Sequence, residues 1–204
     1  MAAAGLRART AVRTPSQAYA DGVAAGRWHD DPAQHPALRE LDRVQRELLA
    51  ATPTGLLARF GLGARPAPVR GLYLWGGVGR GKTFLVDLFY DGLPIEQKQR
   101  THFNRFTRGV HEQLRLHAGQ SDPLAAIARQ WRGTLRVLVL DEFFVTDIGD
   151  AMLLGRLLER LFAEGITLVT TSNTAPQNLY KDGLQRERFL PAIAQLREHC
   201  VELA

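Results

Sequence analysis

The sequence predicts an α/β fold, a parallel β-sheet covered by helices on both faces, and three observations carry that expectation. Short apolar runs at Leu72 to Trp75, His102 to Phe106, Leu135 to Leu140 and Ile166 to Thr171 alternate with segments of helical periodicity. Strands that alternate with helices pair in parallel, because each helix returns the chain across the sheet. The runs are also short enough to be buried strands. Finally, 204 residues, 45% apolar and 23% charged, suit one well-cored domain with an appendage and lie far from the composition of disordered chains.

Taken in order, residues 1–68 read as a helical and linker segment. "HPALRELDRVQRELLA" sets Leu38, Leu41, Val44, Leu48 and Leu49 at helical spacing, and "GLGARPAPVR" at 61–70 is rich in Gly and Pro, as linkers are. The core is expected over 69–204, beginning at Val69. After the first strand a helix is expected from about Lys82, with Phe84, Leu85, Leu88 and Phe89 as its apolar stripe, and after the second strand another from about Thr107. A long helix follows the third strand. Asp147 can cap its start with Asp150 three residues on, Ile148, Met152, Leu153, Leu157, Leu161 and Phe162 supply its stripe, and Gly165 stops it. The fourth strand and a helical tail complete the chain.

Composition narrows the function classes. The net charge of +5 comes from basic residues spread along the chain, a weak signal for nucleic acid compared with a concentrated basic run. Cys200 is the only cysteine, which precludes an intrachain disulfide, argues against a cysteine-built metal site and points to a reducing compartment. No window reaches the roughly 18 apolar residues that span a bilayer. "MAAAGLRARTAVRTP" lacks the apolar core of a secretion signal. Arg7, Arg9 and Arg13 with no acid before Asp21 fit a mitochondrial presequence, but an ordinary bacterial N-terminus is preferred, and with it a cytoplasmic location.

The chemistry begins at "GGVGRGKT", where Gly76, Gly77, Val78, Gly79, Arg80, Gly81, Lys82 and Thr83 fit G-x-x-x-x-G-K-[ST], the phosphate-binding loop. Glycines are needed because several backbone N–H groups must turn inward around one phosphate. The helix that starts near Lys82 adds its positive end. Lys82, one of only three lysines, would reach the β- and γ-phosphates of ATP, and the Thr83 hydroxyl would bind Mg²⁺. The loop sits between an apolar strand and an apolar-striped helix, the context the pattern requires.

Three further elements follow. "RVLVLDEF" ends a buried run in Asp141, the metal-side acid, and Glu142, the base that would activate water. "TLVTTSN" runs into Asn173, which would orient the attacking water if this strand lies between the loop strand and the acid-bearing strand. "GLQRERFLPAIAQL" carries Arg186 and Arg188, able to reach the phosphate of a neighbouring subunit.

With these four elements the chain resembles the AAA+ superfamily and, within it, the ZapE family of bacterial cell-division ATPases with their mitochondrial relatives. "LYLWGGVGRGKTFLVDLFY", "HFNRF", "DPL", "LDEFFVTDIGDAMLLGRL", "TSNTAP" and "LYKDGLQRERFLPAI" look like family signatures in order, and "DEFFVTDIGDAM" is the most specific. The resemblance implies a P-loop NTPase of AAA+ type with a five-stranded parallel sheet, Asp141 and Glu142 as the Walker B pair, Asn173 as sensor 1, and Arg188 as the arginine finger with Arg186 in reserve. It implies a homo-oligomeric ring, a hexamer among the options, and a protein partner, the tubulin-like division ring protein being the candidate. Nucleic acid is not expected as a partner, and any membrane contact would be peripheral. Asp30, Asp31 and Gln34 fall where the family approaches the adenine, although a polar helix start is the preferred reading of them.

Two departures stand out. Asn104 occupies the place of a second family histidine, and Phe103 and Phe106 read as strand packing. The chain stops at "CVELA", where the family begins its last core strand and continues into a helical lid. A missing or frayed last strand, an absent lid and weak ATPase activity are therefore expected. The alternatives are a helicase-loader-type ATPase acting on nucleic acid and a nucleotide-binding interaction module without turnover. A small-molecule kinase ranks last, with no acceptor pocket to point to.

Overall fold

The computed structural model describes residues 12–51 and 68–204; the start of the chain and most of the expected linker at 61–70 lie outside them. Five strands, β1 (Gly71–Trp75), β2 (Lys98–His102), β3 (Val137–Asp141), β4 (Thr167–Ser172) and β5 (Cys200–Leu203), form a sheet in the order β2-β3-β4-β1-β5. Every pairing is parallel, with Leu72 opposite Val169, Val139 opposite Val169 and His102 opposite Asp141. The last strand is neither missing nor frayed: β5 pairs with β1 from Gly71↔Cys200 to Leu74↔Leu203.

Alternation along the strands divides the core into two layers. Leu72, Leu74, Val137, Val139 and Val169 face one side, where they pack against α1 (Pro15–Ala24), α2 (His35–Ala50) and α3 (Lys82–Gly92) through Tyr19, Leu41, Val44, Leu85, Val86 and Phe89. Tyr73, Leu138, Leu140 and Leu168 face the other side. There they meet α4 (Phe103–Leu116), α5 (Pro123–Arg132), α6 (Ile148–Ala163) and α7 (Leu190–His199). The helices of the N-terminal segment thus form part of one layer over the sheet. Burying each such Leu or Phe contributes about 1.5–3 kcal/mol, so both layers hold the strand ends in place. Gly71 allows β1 and β4 to approach: a Cβ there would lie 1.7 Å from the Leu168 carbonyl oxygen.

Several boundaries differ from expectation, for physical reasons. The second strand is the polar Lys98–His102, and the helix already begins at Phe103. β2 is an edge strand paired only with β3, so it needs no apolar run. Phe103 and Phe106 are buried in a helix, with Phe103 packed 4.5 Å between centroids from Phe143, rather than in a strand. Helix α5 was not anticipated, although Asp122 caps it by accepting from the Ala125 N–H and Pro123 occupies its first turn. In α6 the buried face is Ala151, Leu154, Gly155, Leu157, Leu158, Leu161 and Phe162, while Ile148 is 37% exposed and Met152 and Leu153 are half-buried. Asp147 caps α6 as expected, accepting from the Gly149 and Asp150 N–H groups, but the Asp150 carboxylate turns to His111 at 2.8 Å and closes no box.

Candidate functional site

The chain leaves β1 into a turn that only glycine tolerates at several points. Gly79 has φ +82° and Gly81 φ +78°, in the left-handed region where a side chain is strained. Val78 is 88% exposed at its tip. Gly81 stands at the N-cap of α3 with no side-chain cap, which leaves the first N–H groups of the helix facing the loop. Thr83 is exposed in the first turn.

Lys82 folds back over the loop. Its Nζ donates to the carbonyls of Gly76 at 2.7 Å and Gly77 at 2.8 Å, and to Asn173 Oδ1 at 3.1 Å. Asn173 comes from the end of β4, which lies between β1 and β3. Partial burial, and secondarily the Arg80 charge, hold the Lys82 ammonium below the usual lysine range.

The last residues of β4 organise the ends of both neighbouring strands. Ser172 accepts through its carbonyl from the Gly76 N–H at 3.2 Å and donates its hydroxyl to the Phe143 carbonyl at 2.7 Å. The Thr171 hydroxyl accepts from the Glu142 N–H at 3.1 Å, and the Thr171 carbonyl from the Phe143 N–H at 2.7 Å. Glu142 is held at φ +57°, a conformation that costs a non-glycine residue about 1–2 kcal/mol. These contacts hold it there, and its exposed carboxylate lies 3.8 Å from His102 Nδ1.

Asp141 ends β3 largely buried. Arg100 of β2 grips it with both arms of one face: Nε donates to Oδ2 at 2.7 Å and Nη2 to Oδ1 at 3.3 Å. The third guanidinium nitrogen of Arg100 donates to Asp87 of α3. Burial opposes the Arg100 charge, but the two carboxylates outweigh it and hold the guanidinium above its ordinary value. No role for Arg100 was read from the sequence, although its place two residues before His102 on the same face of β2 was a usable signal.

A cavity of about 420 Å³ opens beside the loop, lined by Asp31 and Gln34 together with Trp75, Gly76, Lys82 and Leu203. The structure therefore places Asp31 and Gln34 at the loop, and Gln34 Nε2 reaches toward the Arg80 carbonyl at 3.5 Å. Asp31 also caps its local turn by accepting from the Ala33 N–H, as a polar helix start would. Asp30 instead pairs with His35 at 2.7 Å.

Arg186 and Arg188 are not brought to the loop. They lie in a short turn at Arg186–Arg188. Arg186 donates to the Gln177 carbonyl at 2.7 Å, while Arg188 is exposed and lines a separate cavity with Arg156 and Glu159. Cys200 is buried, which pushes its thiol up to about 12 and leaves it unreactive. Among the described residues no group of three or more His, Cys, Asp or Glu side chains could cage a metal, and no helix is long and apolar enough to cross a membrane.

The profile of the AFG1-like ATPases matches residues 13–204. The chain belongs to the AFG1-like ATPase family. Its sequence is 50% identical over 198 residues to the cell division protein ZapE of Escherichia coli K12, an alignment covering 92% of this chain and 53% of that protein. This AFG1-like chain thus spans about half the length of that relative. Among solved structures it is similar to DnaI, with a TM-score of 0.58 at 18% identity over 86% of each chain. It is also similar to the AMPPCP-bound DnaA of Aquifex aeolicus, with a TM-score of 0.56 at 14% identity, covering 87% of this chain and 49% of that one. The fold of this AFG1-like protein is accordingly an α/β AAA+ core of the P-loop NTPase class.

Proposed function

We propose that this AFG1-like chain binds ATP with Mg²⁺ at Gly76–Thr83 and, within a homo-oligomeric ring, hydrolyses it to remodel a protein partner at the division site. The observation that carries the reading is the convergence on Lys82: its ammonium meets two loop carbonyls and the Asn173 amide supplied by the neighbouring strand. A triphosphate would take over that charge while the loop and the start of α3 present their N–H groups to it.

Thr83 and Asp141 would hold the cation, whose chemistry is to neutralise charge on the β- and γ-phosphates. They fit it, because Mg²⁺ keeps several waters and takes only one or two protein ligands. Glu142 would accept the proton of the attacking water, and Asn173 would orient that water. Arg188 of a neighbouring subunit would stabilise the charge that develops, with Arg186 the less available choice because its guanidinium already caps Gln177. The cavity bounded by Asp31 and Gln34 would take the adenine. A tubulin-like ring protein is the partner implied by likeness, in the cytoplasm, with nucleic acid playing no part and any membrane contact peripheral.

Titration calorimetry of the folded chain with ATP, with Mg²⁺ and in EDTA, tests this. Magnesium-dependent binding is expected, weakened about 30-fold by Lys82→Ala, the loss of one charge-assisted interaction of about 2 kcal/mol. Folded wild-type protein that takes up no ATP, or a Lys82→Ala chain that binds it equally well, overturns the proposal.

A further inference from the structure

The acid at the end of β3 and the hydroxyl at the start of α3 belong to different elements, and one side chain spans the gap between those elements. Arg100 uses Nε and Nη2 on the Asp141 carboxylate and its remaining nitrogen on Asp87. Asp87 is four residues after Thr83 in α3, so the two share one helix face. The guanidinium is therefore tied at one end to Asp141 and at the other to the helix turn that follows Thr83.

The bridge is shielded from water at its Asp141 end, with the Arg100 side chain 19% exposed and Asp141 9% exposed, whereas Asp87 at the other end is 47% exposed. Planar fork geometry matters here. A guanidinium fixes the plane of a carboxylate that it grips twice, whereas an ammonium supplies a point charge and leaves the plane free. Removing the cation would also leave two carboxylates facing one another. That repulsion would push β3 and α3 apart at the place where Thr83 and Asp141 would have to meet on one ion.

We propose that Arg100 is a positioning residue for the cation site, fixing the plane of the Asp141 carboxylate and its spacing from Thr83 through Asp87. The inference rests on the reading of this site as one for ATP with Mg²⁺. Arg100 touches neither nucleotide nor metal and acts through the two acids. Partners that orient a ligating carboxylate change metal affinity when removed, even though they donate nothing to the ion.

The test uses Mn²⁺ as a paramagnetic stand-in for Mg²⁺ and a non-hydrolysable ATP analogue as the nucleotide. Arg100→Gln and Arg100→Lys are expected to bind the analogue in EDTA within about twofold of wild type, and to lose about tenfold or more in Mn²⁺ affinity in its presence. Circular dichroism establishes that each variant is folded. Unchanged Mn²⁺ affinity in a folded variant overturns the proposal, as does an equal loss of analogue and metal, which is what a general fold brace would give. Should Arg100→Gln not fold, Asp87→Ala keeps the grip on Asp141 and removes the acceptor that ties Arg100 to α3. It is expected to lower Mn²⁺ affinity about threefold, and no change overturns the proposal. Wild-type protein that binds the analogue but gains nothing from Mn²⁺ overturns the role of Arg100 while leaving nucleotide binding in place. Wild type that binds no analogue at all overturns both readings.

Discussion

At the glycine loop the polar groups answer one another within a single chain, whereas at the turn of residues 185–188 they point away from it. Lys82, Asn173, Ser172 and Gly76 are linked by hydrogen bonds of 2.7–3.2 Å, and Asp141 and Glu142 are fixed by β2 and β4. The turn has no such connection to the loop: Gln185 sits at φ +56°, Arg186 is spent on Gln177, and Arg188 is exposed. Binding groups can therefore be complete in one copy, while a role for Arg188 requires a second copy.

The largest expected effect attacks the second region alone. Arg188→Ala should lower ATP turnover about 10³-fold, the usual scale for an arginine finger, while calorimetric affinity for ATP stays near wild type. Mixing Arg188→Ala chains with Glu142→Gln chains should restore part of the turnover, because intact pairs form at mixed interfaces. A folded Arg188→Ala protein with normal turnover would break the comparison. Next in size, Glu142→Gln should reduce phosphate release about 10²-fold with ATP still bound. Equal loss of binding and turnover would mean that the strained backbone, not the carboxylate, is what matters at that position.

The smallest effect comes from pH and sharpens the account of Lys82. Its ammonium is held below 10.5 by partial burial and the Arg80 charge, and phosphate oxygens would favour the charged form and raise the value again. Binding then takes up protons in the window between the two values. Affinity should be full below the lowered value and decline as pH rises through it toward the raised one. Affinity that stays constant or rises across this alkaline window would remove the ammonium from the account, and Lys82→Ala should flatten the profile.

Much of this arrangement was legible because it is local. The loop needs glycines at particular turns, the Asp141 and Glu142 pair follows a buried run, and the insertion of β4 between β1 and β3 was the condition placed on Asn173. Boundaries were less legible where tertiary position overrides pattern. An edge strand of Lys, Gln, Arg, Thr and His carries no apolar signature, so the two phenylalanines after it drew the strand onto what is the start of α4. The buried face of α6 turned toward Ala151, Leu154 and Gly155 because α7 approaches at Gly155, where a Cβ would lie 3.4 Å from the Ala192 nitrogen. Arg100 escaped notice because its partners come from two other elements, 13 and 41 residues away. The place of Asp31 and Gln34 beside the loop was suggested by the family resemblance alone, because it depends on the N-terminal helices lying against the same sheet face as α3.

The last two residues of β4 and the one that follows them have a consequence beyond their separate bonds. Thr171, Ser172 and Asn173 each measure off a different segment, Glu142, the loop and the lysine, against one central rod. A slip of that rod by a single residue would misplace all three together. Substitutions here should therefore behave as a block, with second changes adding little harm once the first has been made.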